Sequence, residues 1–363
     1  MITQQVRGRG VNSNLEGSIR EADWGTTMVS MRDLAKICGV SVATVRKALN
    51  DYSDIGEDTK RRVREAAEAA GYLPSTVTRA IQRNRSWNLG ILYEDEAQSG
   101  LTHDFFSPVL DSFRREAEHS GYDITFINKH LAEQRMSYSE YCRFRQVDGV
   151  LIACTDFYNP DVQALIRSEV PVVTLDHVFD NRIAVVSDNV KGMTALVSYV
   201  CSMGHTKIAY IHGADSSVTR SRKGSFYRSL AEHGIELPDA YIREADYRDT
   251  AAARAITREL LELPDPPTCI FYPDDYAAVG GMRAIREKGL KIPEDISIVG
   301  YDGIPMDRIL RPKMTTIHQA TAEIGKVAAE QLVGLIEKPK TMLIEHILIE
   351  GTFLPGESVT RIR

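Results

Sequence analysis

Apolar positions along the chain follow two different periods. Between residues 29 and 71 they recur three and four apart, as on one face of a helix. Ser30 and Asp33 have the spacing of a capping box and open a run with Leu34, Ala35 and Cys38 on one face. Gly39 supplies the left-handed residue that ends this helix. Val40 anchors the turn, and Ser41 caps a second helix that carries Val45, Ala48 and Leu49 inward. The same helix turns Val42, Ala43, Arg46 and Lys47 outward. After the polar break NDYSDIGED a third amphipathic helix is expected from about Thr59 to Ala70 on Val63, Ala66, Ala67 and Ala70, closed by Gly71. Two short helices joined by a glycine turn read as a helix-turn-helix.

From Trp87 onward the period shortens into compact apolar runs: NLGILYE, ITFIN, GVLIACT, VPVVTL, KIAYIHG, TCIFYP and ISIVGYD, each followed by a helical stretch. Alternating units of this kind predict parallel sheets with helices on both faces. They fall into two groups, before and after about Asp188.

Composition changes the picture in three ways. The chain of 363 residues has room for two or three domains, and no apolar run is long enough to cross a bilayer, so no membrane partner is expected. The 5 cysteines are scattered and unpaired in sequence, which fits neither a disulfide scaffold nor a CxxC zinc site and points to a reducing cytoplasm. The net charge of -6 conceals an asymmetry: residues 29–86 carry 11 basic and 7 acidic side chains, and residues 87–363 carry 30 and 40. A basic head on an acidic body suits a nucleic-acid-binding element joined to a body that avoids nucleic acid.

The segments MRDLAKICGVSVATVRKALN and AGYLPSTVTRAIQ resemble the DNA-binding head and hinge of the LacI/GalR family. DGVLIA, VPVVTLD, VVSDNVKG, MGHTKIAYI, PDDYAAVGG, GLKIPEDISIVGYD and MTTIHQ resemble further family blocks in family order. The likeness runs over about residues 29–360. It implies an all-α helix-turn-helix head over 29–73, a hinge over 74–86, and over 87–363 a two-lobed α/β core like a periplasmic binding protein, built on parallel sheets, for effector binding and dimerisation. Residues 1–28 read as a disordered extension, and a natural start at Met28 or Met31 is the expectation.

The resemblance implies operator contacts from Val42, Ala43, Thr44, Arg46, Lys47, Asn50, Tyr72, Ser75, Thr78 and Ile81. Lys47 stands where the family has arginine, which replaces a planar fork with a flexible point charge. Arg46 stands where a small serine is usual. Val42 and Ala43 can offer a thymine methyl only apolar contact. Pro74 suits a first helical turn, and Ile81, where leucine is customary, is the candidate wedge for the minor groove. Thr78 replaces an alanine near the groove floor. A plain flexible linker is the alternative for this segment.

Ligands of open parallel sheets sit beyond the carboxyl ends of the strands. Asp156, Asp176, His177, Asp188, Asp274, Asp275 and Asp302 stand at such ends, where carboxylates can accept from sugar hydroxyls. The resemblance adds Arg222, although Ser225 replaces a nearby glycine, and Phe106 as a stacking residue, and it favours Asp176 and Asp302 among the acids. Asp275 and Asp295 read rather as caps or turn acids, Asp188 and Asn189 as a possible crossover turn, and His177 as pocket or rim. Enzyme signatures such as HExxH, GxSxG, a Walker loop or GxGxxG after a strand are absent from the sequence. Neither a cofactor nor a metal is expected. The partners anticipated are near-palindromic double-stranded operator DNA, a small effector, for which Arg222 and the acids suit a sugar or related polyol and would also suit a nucleobase or a sugar acid, and a second copy of the chain in a homodimer.

Overall fold

The structure, a computed structural model, describes residues 29–72, 85–95, 99–131 and 134–362. The chain divides into two units, Met1–Asn84 and Arg85–Arg363.

In the first unit the capping box forms as the spacing predicts. The Asp33 N–H donates to Ser30 Oγ at 3.3 Å and the Ser30 N–H to Asp33 Oδ2 at 3.0 Å, which starts α1 (Met31–Cys38). Gly39, at φ +62°, ends it, and the Val40 N–H closes back on the Ala35 carbonyl at 3.0 Å. Ser41 Oγ then accepts from the Thr44 N–H at 3.0 Å and starts α2 (Val42–Leu49). The third helix, α3 (Glu57–Ala69), begins two residues before the predicted Thr59, because Glu57 and Asp58 in its first turn complement the exposed N–H groups there. Leu34, Val45, Ala48, Val63 and Ala66 form the fully shielded centre of this unit, with Tyr72 packed at its edge.

The second unit begins with β1 (Asn88–Tyr93), α4 (Phe106–His119), β2 (Asp123–Phe126) and a small hairpin of β3 (His130–Leu131) and β4 (Gln134–Arg135). It continues through α5 (Tyr138–Phe144), β5 (Gly149–Cys154), α6 (Pro160–Arg167), β6 (Val172–Leu175) and β7 (Ile183–Ser187). After the first crossover come α7 (Asn189–Ser202), β8 (Ile208–His212), α8 (Ser217–Glu232), β9 (Ile242–Glu244), α9 (Thr250–Leu260), β10 (Cys269–Phe271), α10 (Asp275–Glu287), β11 (Ser297–Val299) and β12 (Thr316–His318). The last elements are α11 (Thr321–Glu337), β13 (His346–Ile349) and β14 (Thr352–Leu354).

Two parallel sheets result, ordered β13-β7-β6-β5-β1-β2 and β11-β10-β8-β9. The division at about Asp188 is therefore incomplete, because Thr321–Ile349 returns to the first lobe. There α11 lays Ile324, Ala328, Ala329 and Leu332 against Val109, Leu110 and Phe113 of α4, and β13 extends the first sheet alongside β7. Gly325 makes that packing possible, since a Cβ on it would lie 2.1 Å from the Val109 carbonyl oxygen. β14 then crosses again and pairs antiparallel with β12. Three segments of chain thus join the lobes, at Ser187–Asn189, His318–Thr321 and Ile349–Thr352, and the lobes also meet through Ser217, which donates to the Asp176 carbonyl, and through the Arg248–Asp104 pair.

Candidate functional site

The first candidate surface is the outer face of α2. Val42 is 41% exposed, Ala43 and Arg46 are exposed, and Thr44, Lys47 and Asn50 are half-buried. Three of these side chains already have local partners. Thr44 Oγ1 lies 2.9 Å from Ser41 Oγ, the Asn50 amide donates to the Arg46 carbonyl, and Lys47 forms an ion pair with Asp54. That hydrogen bond with Lys47 holds the Asp54 carboxyl below the usual carboxylate range. Tyr72 closes α3 through its N–H to the Ala67 carbonyl at 2.8 Å. Ser75, Thr78 and Ile81 lie outside the described residues.

The second surface is the seam between the lobes of the core. Arg222 of α8, 3% exposed, is its centre. Its Nε donates to Asn189 Oδ1 at 2.7 Å, its Nη1 donates to the Pro273 carbonyl at 3.0 Å, and its plane lies 3.5 Å from the centroid of the Tyr301 ring. Nη2 stands 3.7 Å from Asp302 Oδ1. Burying a guanidinium requires this many partners, because the charge has left water.

Asp302 follows β11 at φ +103°, a left-handed conformation that aspartate tolerates better than most residues. Gln319, at the second crossover, donates to Asp302 Oδ1 at 2.7 Å. The loop beneath is fixed by the fully buried Asp275, whose carboxylate accepts from the Gly303 and Ile304 N–H groups at 2.6 and 3.2 Å and from Thr316 Oγ1 at 2.9 Å. Asp176, after β6 at φ +53°, accepts from the Ser187 N–H at 2.7 Å. Burial raises its carboxyl above the usual range, against the pull of Ser187 and Arg222.

Asp274, expected at the effector site, takes the capping role that the sequence suggested for Asp275, and Asp275 fixes the loop after β11 instead. Asp274 is the N-cap of α10, accepting from Ala277 at 2.8 Å, and it also accepts from the Arg248 N–H at 2.7 Å. Two adjacent acids before a helix look alike in sequence, and only the backbone angle selects the one that faces the free N–H groups. Asp274 still feels Asp302 and Arg222: burial first and Asp302 second push its carboxyl up to about 6.

Phe106 stands at the start of α4, edge-on to Tyr93 at 5.5 Å and to His103 at 4.9 Å. Burial, with Arg248 nearby, lowers the His103 imidazole below its ordinary value. His177 stacks on Phe157 at 4.2 Å beside Phe179 and the exposed Tyr158, so it belongs to an aromatic group at the end of β6. Asp156 is exposed and accepts from the Tyr158 N–H at 2.8 Å, which makes it a turn acid. Asp188 caps α7 through the Lys191 N–H at 2.9 Å, whereas its neighbour Asn189 is buried against Arg222. Asp295 likewise accepts within its own turn, from the Lys291 N–H at 2.7 Å.

Sequence reasoning passed over Tyr301, Gln319 and a second guanidinium. Arg248 follows the short β9 at φ +64°, lies 4.1 Å from the Tyr276 ring centroid and pairs at 3.2 Å with Asp104 of the opposite lobe. Its signal in the sequence was slight, since the three-residue strand before it carries too little pattern to read.

Comparison with known proteins adds a separate line of observation. Residues 30–75 match the family described as bacterial regulatory proteins, lacI family, and residues 197–359 match a periplasmic binding protein-like domain. The chain is 31% identical over 317 residues to the ribose operon repressor of Escherichia coli (strain K12), covering 86% of this chain and 94% of that protein. It is 30% identical over 316 residues to the HTH-type transcriptional repressor PurR of Vibrio atlanticus (strain LGP32), covering 85% and 92%. The lac repressor dimer bound to operator and the anti-inducer ONPF superposes with a TM-score of 0.74 at 24% identity, over 92% of this chain and 100% of that one. A regulator of Enterococcus faecium with bound ribose superposes with a TM-score of 0.65 at 26% identity, over 76% and 100%.

Proposed function

The chain belongs to the LacI family of bacterial transcriptional regulators, and from that membership we propose that it is a repressor whose operator affinity is set by a small molecule held at Arg222. The observation that carries this reading is the buried guanidinium itself, placed where Asn189, Pro273 and Asp302 from three different connections converge. Such a donor-acceptor set at the junction of two lobes suits the vicinal hydroxyls of a sugar or related polyol. The ribose bound in the E. faecium regulator supports the same ligand class.

On this reading α2 enters the major groove. Val42 and Ala43 touch base edges, Lys47 leaves Asp54 to reach a base, and Thr44, Arg46 and Asn50 lie near the backbone, with Tyr72 beside them. Ser75, Thr78 and Ile81 meet the minor groove, Ile81 as the wedge. An effector that prefers one arrangement of the lobes and an operator that prefers another must each change the other's affinity by the same factor.

The chain acts as a homodimer, one head per half-site of a near-palindrome. The concavity lined by Val279, Met282, Arg283, Arg286, Glu287 and Leu310 combines apolar and charged side chains, the mixture that a two-fold interface buries. No helix among the described residues is long and apolar enough to cross a membrane, and the cytoplasm, where operator DNA is reached, is the site of action. The role is one of binding without catalysis. A gel-shift assay against the upstream region of the chain's own gene tests the proposal: one or more sugars should change the mobility shift, and a shift blind to every sugar would count against it.

A further inference from the structure

The charges at the seam between the lobes do not balance. Arg222 faces Asp302 at 3.7 Å and Arg248 pairs with Asp104 at 3.2 Å, so both guanidiniums are already matched by carboxylates. Asp176 and Asp274 add two more carboxylates, held by the backbone N–H groups of Ser187, Ala277 and Arg248. Gln319 Oε1, buried and able only to accept, has no hydrogen-bond partner. What this surface asks of a ligand is donors. Hydroxyl groups donate, whereas the oxygens of an ionised carboxylate or phosphate only accept.

Arg248 is the exception waiting to happen. Its backbone is held left-handed by Asp274, its guanidinium lies over Tyr276, and its field reaches His103 and Tyr93 at the end of β1. A rigidly placed guanidinium of this kind is an anion receptor unless another group occupies it. Asp104 does so from the opposite lobe.

We propose that Asp104 sets the charge class of the effector: by occupying Arg248 it keeps the site selective for neutral polyhydroxy compounds and closes it to carboxylated or phosphorylated sugars. This rests on the reading of the Arg222 seam as the effector site. Asp104 is a specificity-determining residue here, acting through Arg248.

The test uses the full-length chain, with isothermal titration and thermal shift against two matched pairs: galactose with galacturonate, and ribose with ribose 5-phosphate. Wild-type protein should bind neither anion more tightly than its neutral counterpart. Asp104→Asn, or Asp104→Ser should the first variant fold poorly, should gain about tenfold in affinity for at least one of the anions, the scale of a charge-assisted contact in a partly buried site. The double variant Asp104→Asn/Arg248→Gln should lose that gain. A wild-type preference for either anion, or a folded Asp104 variant with no gained affinity for both, would overturn the proposal. Adding Arg222→Ala separates the two layers of the argument. An anion response in the Asp104 variant that persists unchanged without Arg222 would place the binding elsewhere and defeat the reading of the seam, and with it the role of Asp104.

Discussion

Replacing Arg222 by alanine should damage stability and effector response together, and the structure sets the scale. The side chain makes two hydrogen bonds from a charged donor, to Asn189 Oδ1 at 2.7 Å and the Pro273 carbonyl at 3.0 Å, and stacks on Tyr301 at 3.5 Å. Charged hydrogen bonds contribute about 1.5–3 kcal/mol each and a desolvated cation–π contact about 2 kcal/mol. These terms are not additive, and removal also strands the mostly buried Asp302 without its counter-charge. Breaking one partner of a buried pair costs about 3–5 kcal/mol, and that is the expected loss. Urea titration of the full chain, followed by circular dichroism, measures it. Arg222→Lys should recover part of the loss, since it restores the charge without the planar fork. An alanine variant within about 1 kcal/mol of wild type, far below that 3–5 kcal/mol range, would refute the reasoning.

Three further outcomes follow from other parts of the chain. Lys47→Ala should weaken operator binding by about tenfold, the scale of one base contact, while Asp54→Asn should strengthen it by freeing Lys47; fluorescence anisotropy reads both, and weaker binding by Asp54→Asn would contradict the account. Asp274 is held at about 6, above the ordinary carboxylate value, so the folded state binds its proton more tightly than the unfolded chain. That contribution to stability is complete below about pH 4 and is lost as pH rises through 6, worth about 3 kcal/mol in all. Asp274→Asn should remove this part of the pH slope in denaturant titrations, and an unchanged slope would count against the burial argument. Ile81→Ala should lower operator affinity and leave effector binding intact, and equal operator affinity would remove the wedge.

The head was the most legible part, because its determinants are local. Ser30, Asp33, Gly39 and Ser41 act within a few residues of themselves, so caps and turn could be read directly. The alternation of strands and helices was equally visible; Asp176 and Asp302 were named for their positions beyond strand ends, and Arg222 only through the family resemblance. What stayed hidden depends on contacts between distant residues. Nothing near Thr321 announces that α11 will pack on α4, more than two hundred residues earlier, or that β13 will join the first sheet. That Asp274 rather than Asp275 caps α10 turns on backbone geometry that the dipeptide does not encode. Arg248 acquires its meaning only when Asp104 arrives from the other lobe.

The central claim is that a basic helical reader and a ligand seam act on one another within one molecule. The most direct measurement is the affinity of the purified chain for its own near-palindromic site and for random duplex at physiological ionic strength, each with and without a bound sugar. The account predicts at least about a thousandfold preference for the specific site, moved by about tenfold when the sugar binds. Equal affinity for both duplexes, or a preference that no bound sugar alters, would contradict it.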